Sequence, residues 1–472
     1  MHDINDLSFA ERLTEVFPSP RQSAWHQLDY YNLISLGLST FTGGDNDGTA
    51  SPTLFNPTKL DTDKWAQTLK NSGSKGVIMS AKHADGFCLF RSKYTIYGVS
   101  ASPYKDGKGD VVAELSASCE KAGLKFGIYI SPADRHEASF GTDLYNDFFC
   151  HQLTELLTSY GKLFCVWLGD EFDSRAGGFN NSASRAGTST DEHNGHNDPE
   201  TSASARQAYD FDRYVALIRD LQPDAVIARG GPDVRWVGRD PMDPRPSEFC
   251  VCDARMHDRA MTDEDKISAG VPRLSNRDIG SRAVLADAPA LCWFPAESYA
   301  SIIRGKTFHS KGAEVFLTRS ADNLFKLYLR SAGHNSALLL NVPPDKTGQI
   351  PKKLTSRLRK LGTMLADAFT HATAGSVAPV RQHGAEYIYD IKTEFCTATR
   401  AVIAEDLSEG QRIEKWQLSA STMDGVYNLI AKGETIGNRE IITFRPINCA
   451  KFRLTITESR GAPKLLYIKI FR

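Results

Sequence analysis

Apolar residues along this chain fall in short runs separated by longer amphipathic stretches. Runs occur at 31–38 (YNLISLGL), 76–80 (GVIMS), 126–131 (FGIYIS) and 163–168 (LFCVWL), and again at 225–228 (AVIA), 290–294 (ALCWF) and 337–342 (ALLLNV). Their length and continuity suit strands buried on both faces, as in a parallel sheet. Between them lie helical patterns with start and stop signals. Asp61 caps DTDKWAQTLKNSG, which ends on Gly73, and Asp110 opens DVVAELSASCEKAG, which closes at Gly123. Further helical stretches cover 144–160 and 207–221. This alternation predicts a parallel α/β fold. The strand number approaches eight, and carboxylates, histidines and aromatics recur at strand ends. Both features favour a (β/α) barrel of TIM type over an open doubly wound sheet. No Gly-rich phosphate loop follows the first strand.

After residue 370 the period shortens. Alternating strands are expected at 386–391, 415–419, 441–444 and 451–456, with turn residues between them, as in an all-β sandwich. The expected organisation is therefore a barrel over 1–370 and a sandwich over 371–472. A stretch at 173–204, rich in Ser, Gly, Asn and Asp, reads as a flexible surface insertion after the fourth strand. Its His193 and His196 read as solvated loop residues rather than metal ligands.

Composition narrows the class without choosing a function. The chain has 472 residues, 41% hydrophobic and 24% charged, with a formal net charge of -1. That balance gives no general attraction to nucleic acid or to an anionic membrane. No apolar run is long enough to span a bilayer, and the N-terminus lacks an apolar signal core, so the chain reads as intracellular or as a mature form. The nine cysteines are scattered and include no CxxC pair, which reads as buried free thiols in a reducing compartment. No cofactor is called for, and no metal-ligand spacing is present.

The chemistry is concentrated at the exit of the 163–168 run, where Gly169 is followed by Asp170 and Glu171. In an α/β barrel the C-terminal ends of the strands carry the reactive groups, so the nucleophile of an enzyme is expected here, at Asp170 or Glu171.

Longer motifs add a family. KHADGFCLFRSKYT (82–95), DGKGDVV (106–112), KAGLKFGIYISPADRH (121–136), YNDFF (145–149) and VWLGD (166–170) resemble glycoside hydrolase family 29, the α-L-fucosidases. YDFDRY (209–214), LQPDAVI (221–227), GPDVRWVG (231–238), FPAE (294–297) and LLLNVPPDKTGQI (338–350) continue the resemblance in order. It is similar to the branch that cleaves α-1,3/1,4-linked fucose. The resemblance implies a barrel followed by a β-sandwich, and retaining hydrolysis by two carboxyl groups about 5–5.5 Å apart.

Set against the family pattern, several positions differ. The family's nucleophile motif resembles Trp-Phe-Asp-Gly, where this chain has Trp167-Leu168-Gly169-Asp170. A slip of one residue on a strand turns a side chain to the opposite face. The family's acid/base motif resembles Trp-Val-Gly-Asn-Glu, where Asp240 follows Arg239 and is one methylene shorter. Ser35 and Ala84 stand where the family usually carries histidine, and Ala133 where it carries an aromatic. The candidate catalytic pair is thus Asp170 and Asp240. Candidate sugar-binding residues are His83, Trp236, Glu248, Trp293 and Glu297. Asp134, Arg135 and His136 read as an ion-paired brace of the strand-three loop.

Two functions follow as expectations. One is a retaining glycosidase acting on a fucosylated glycan or related sugar, with a relocated nucleophile. The other is an inactive homologue that binds glycan or serves as a structural subunit with protein partners. Nucleic acid and membrane are not expected partners in either.

Overall fold

The computed structural model describes residues 9–44, 46–169, 207–237, 245, 248–259, 261, 263–373, 375–421 and 425–472. Eight parallel strands form the barrel: β1 (Tyr30–Ile34), β2 (Gly76–Lys82), β3 (Lys125–Ile130), β4 (Leu163–Leu168), β5 (Val226–Arg229), β6 (Arg235–Trp236), β7 (Ala296–Ser301) and β8 (Ser336–Asn341). Their order is β5-β4-β3-β2-β1-β8-β7-β6. A parallel bridge between Ala228 and Val234 joins the two ends, so the sheet is nearly closed.

Strand alternation divides each apolar run between two cores. Tyr31, Leu33, Ile78, Tyr129, Cys165, Trp167, Ala228 and Leu339 point inward and fill the barrel. Ile34, Val77, Met79, Ile128, Val166, Leu168, Ile227 and Leu340 point outward beneath the helices. The helix starts read from sequence are present: Asp61 accepts from the Lys64 amide at 3.0 Å and Asp110 from the Ala113 amide at 2.9 Å. Gly123 ends its helix in the left-handed region, at φ 69°.

Three local expectations change. The first strand stops at Ile34, and the chain then turns into a short helix at Leu38–Thr42. The 290–294 run is not a barrel strand. Leu291–Trp293 pairs antiparallel with Val251–Asp253 in a separate ribbon. The barrel strand is the next segment, β7, whose sequence AESYAS lacks an apolar run. It is buried all the same, because its polar groups are satisfied internally; the Ser298 and Ser336 hydroxyls, for example, lie 2.8 Å apart. The 207–221 helix begins later than expected, at Phe211.

The C-terminal strands are longer than the sequence suggests. Glu386–Glu405 and Glu440–Ser459 pair antiparallel along their length, with register shifts between Lys392 and Cys396 and between Ala398 and Arg400. Before the shifts they carry the Ile413–Ser421 and Tyr427–Gly433 strands, and beyond them Leu465–Phe471. Trp416, Leu418, Ile403, Phe452 and Leu454 fill the core between these parts. Val402, Ile441 and Phe471 belong instead to the core shared with the barrel helices, which seats the β domain against the barrel.

The expected brace of the strand-three loop is present with a different partner. Asp134 pairs with Lys82 at the end of β2, at 2.9 Å, and both are buried. The Lys82 ammonium also donates to Gln152 Oε1 at 2.9 Å and faces the Tyr145, Phe148 and Phe149 rings. His136 stacks on Tyr97 with ring centres 3.7 Å apart, and Arg135 donates to the Asn46 carbonyl at 3.2 Å. Removing one partner of a buried pair leaves the other charge uncompensated. Lys82→Met is therefore expected to lower the unfolding free energy by about 3–5 kcal/mol in a denaturant titration.

Candidate active site

The inward-facing residues of β4 are Cys165 and Trp167, and the next inward position is Gly169. Its amide donates to the Ile130 carbonyl at 2.9 Å, so the strand geometry persists to this residue. A Cβ built here would meet the Tyr129 hydroxyl at 2.9 Å, Ser131 Cα at 3.2 Å and Tyr129 Cε2 at 3.3 Å. Tyr129 has little room to yield. It is buried, with its ring centre 5.0 Å from His83 and 5.2 Å from Trp167. The inward position at the end of β4 is therefore crowded, and a side chain there requires Tyr129 or the strand-three backbone to shift by a few tenths of an ångström. Asp170 and Glu171 lie outside the described residues, as do Asp240 and the 173–204 insertion.

Beneath this position sits Glu297, the second residue of β7, with no solvent exposure. Trp167 Nε1 donates to its Oε1 at 2.7 Å, and the Tyr31 hydroxyl donates to its Oε2. Tyr31 in turn accepts from Trp25 Nε1 at 3.0 Å. Burial pushes the Glu297 carboxyl up to about 7, against the opposing pull of these hydrogen bonds and of the Arg229 charge. Arg229 ends β5 in the left-handed region, at φ 58°. Its guanidinium lies 3.7 Å from the Trp236 ring centre and 4.9 Å from that of Trp167. Trp236 is the register partner of Glu297 across β6 and β7.

His83 lies above Tyr129, and its other side meets Phe308, with ring centres 4.7 Å apart. Phe308 comes from the segment that follows β7. Among the described residues, the Ser35 hydroxyl and Trp236 Nε1 are buried polar atoms with no hydrogen-bond partner. Each is able to bond a water or another polar group.

Of the residues singled out from sequence, His83, Trp236 and Glu297 converge here. Glu248 and Trp293 do not. Glu248 is buried between Arg235, at 2.6 Å, and Arg245, at 3.1 Å. Trp293 stands on the separate ribbon and donates to His26 Nε2 at 3.1 Å. Burial lowers the His26 pKa to about 4, so its ring is neutral and able to accept. Sequence reasoning missed Tyr31, Tyr129 and Arg229. The two tyrosines sit inside apolar runs and look like core, and only the charge of Arg229 at a strand end could have singled it out.

A nearly closed parallel barrel presents its functional groups at the C-terminal strand ends and hosts many chemistries, so the class is read from relatives. The α-L-fucosidase family model matches residues 21–228. Alpha-L-fucosidase 1 of Arabidopsis thaliana is 30% identical over 96% of this chain and 87% of its own length. The crystal structure of a putative alpha-L-fucosidase from Bacteroides ovatus superposes with a TM-score of 0.85 at 34% identity, covering 99% of this chain and 76% of that one. A glycoside hydrolase 29 family member from an unknown rumen bacterium gives a TM-score of 0.77 at 30% identity, over 97% of this chain and 77% of that one. The chain belongs to the α-L-fucosidase family, glycoside hydrolase family 29.

Two outcomes test this geometry. Gly169→Ala places a methyl group against Tyr129 and is expected to lower the unfolding free energy by about 1–3 kcal/mol in denaturant. Glu297 gives a pH signature. Its folded pKa of about 7 exceeds the ordinary value of 4.5, so the folded chain keeps a proton that the unfolded chain releases. Stability then rises as pH falls from above 7 toward 4.5, and the ionised carboxylate destabilises the fold above 7. Glu405 is also raised to about 7, so the contribution of Glu297 is read as a difference between proteins. The stability of Glu297→Gln relative to the parent should be higher at pH 8 than at pH 4.5, by on the order of 3 kcal/mol. A pH-independent difference would place Glu297 at an ordinary pKa.

Proposed function

We propose that this chain is a retaining α-L-fucosidase-type homologue whose barrel still receives a fucose-like sugar but whose displacement step is severely weakened. The observation that carries this reading is Gly169. The residue that corresponds to the family nucleophile has no side chain, and Tyr129 crowds the position it would occupy. Hydrolysis, where it persists, runs through Asp170 as nucleophile and Asp240 as acid/base. The chemistry requires their carboxyl groups to stand about 5–5.5 Å apart across the scissile bond. Asp240 has a shorter reach than glutamate, and Arg239 beside it favours the ionised form, which is the wrong direction for a general acid.

In this reading His83 and Trp236 contact the sugar, with the Ser35 hydroxyl and Trp236 Nε1 as the buried polar atoms that meet its hydroxyl groups. Glu297 acts from the floor of the barrel, where both its oxygens are already engaged and hold Trp167 and Tyr31 in place. Glu248 and Trp293 hold surrounding segments rather than the sugar. The missing side chain at Gly169 also favours a second reading, an inactive homologue that binds glycan or docks protein partners.

The test is hydrolysis of an aryl α-L-fucoside and of an α-1,3/1,4-fucosylated trisaccharide by the parent, Asp170→Ala and Asp240→Ala proteins. A parent rate that falls at least about a hundredfold in both variants supports the shifted carboxylate pair. A parent rate equal to that of both variants on both substrates removes hydrolysis from the proposal. Fucose binding measured by calorimetry then decides whether the inactive, glycan-binding reading stands.

A further inference from the structure

All nine cysteines are free thiols in this structure, and eight are buried. Strand register places four of them in pairs. In the ribbon beside the barrel, Val251 faces Trp293, Cys252 faces Cys292, and Asp253 faces Leu291. In the β domain, Cys396 faces Cys449 across the two long strands. Residues directly opposite in an antiparallel pair project to the same face, with Cα atoms about 4.5 or 5.5 Å apart depending on the hydrogen-bonding pattern. Both Cα separations lie inside the range of about 4.4–6.8 Å that a disulfide spans, and closing either rung requires the Cβ atoms to draw together from about 4.5–5.5 Å to about 3.5–4.5 Å.

We propose that Cys252 and Cys292 form a dithiol–disulfide site that clamps the segment between them. Three-residue strands make a marginal ribbon, and this pair occupies its central rung. The ribbon is the neck of an excursion over residues 254–290. Its flanks are a hydrogen bond from the Phe294 amide to the Cys250 carbonyl and one from the Ala254 amide to the Ala290 carbonyl. Closing the central rung fixes both ends of the excursion beside the Arg235–Glu248 pair. Cys250 is the only other cysteine on the ribbon among the described residues. Its sulfur accepts from Asn335 Nδ2 at 3.4 Å, and that of Cys252 lies 3.8 Å from the Phe249 carbonyl, a contact that closing the rung exchanges for Cys292.

The oxidant is a small-molecule disulfide such as oxidised glutathione. Cys292, which is partly exposed, attacks it as the thiolate and expels one glutathione thiol, leaving a mixed disulfide. The Cys252 sulfur then displaces the second glutathione. Two protein thiols lose two electrons and two protons, and the oxidant leaves as two glutathione thiols. Burial raises both cysteine pKa values, so the thiols stay protonated at neutral pH and exchange is slow. The Cys396–Cys449 register carries the same inference independently for the β domain, where burial likewise holds the Cys449 thiol up, at about 11.

The test equilibrates the full chain in glutathione buffers from reducing to oxidising poise. In parallel, it is refolded from guanidinium in the same buffers, so that access to the buried thiols does not limit the result. Acid quenching, alkylation in denaturant and digestion without reduction precede mass spectrometry. The expected result is a cross-linked peptide joining Cys252 to Cys292 under oxidising poise, with two fewer alkylated thiols. It is reversed by dithiothreitol and absent from Cys292→Ser. A second linked peptide, with two further thiols lost, is expected for Cys396 and Cys449. Full alkylation of Cys252 and Cys292 at every poise in the refolded samples, or a Cys250–Cys292 link in their place, overturns the ribbon site. Full alkylation of Cys396 and Cys449 overturns the other.

Discussion

A single buried carboxyl group organises the interior of this barrel. Glu297 on β7 takes one hydrogen bond from β1 through Tyr31 and one from β4 through Trp167. It also feels the Arg229 charge at the end of β5. Its register partner on β6 is Trp236, whose ring lies against that same guanidinium. Five strands are thus tied to one acidic side chain. A fully buried carboxyl is costly unless its oxygens are engaged, and these partners engage both. The same burial that makes the arrangement demanding also makes it directional, because Trp167 can satisfy Glu297 only from one orientation of its ring.

That orientation bears on the chemistry above it. Once Trp167 points inward, strand alternation makes Gly169 the next inward residue, and Tyr129 occupies the space beside it. The scaffold around this point is firmly held. Lys82 and Asp134 brace the loops after β2 and β3, and His136 stacks on Tyr97. The barrel interior is thus tightly ordered around a strand end that carries no side chain.

The β domain shows a different relation between sequence and structure. Its period-two pattern identifies strands, but two of them run for 20 residues and are shared between the halves of the domain. Register shifts at Lys392–Cys396 and Ala398–Arg400 allow this, and they leave no composition signal. The cysteine pairs are hidden in the same way. Cys252 and Cys292 are 40 residues apart in sequence, by subtraction of their numbers, and only the ribbon register sets them face to face.

The sequence by itself determined the fold class, most of the barrel strands and the helix caps, because each rests on local periodicity or on a side chain that bonds its own neighbours. It also marked His83, Trp236 and Glu297 through motif position. Only the tertiary structure decided which of the marked residues meet. Trp293 and Glu248 look equivalent to Trp236 and Glu297 along the chain, yet they lie on a side ribbon and in a buried arginine cluster. Polar β7 was missed, and the apolar 290–294 run was mistaken for a barrel strand. Burial in this barrel depends on partners such as Tyr31, Trp167 and Ser336, which are contributed by distant strands and carry no local signature.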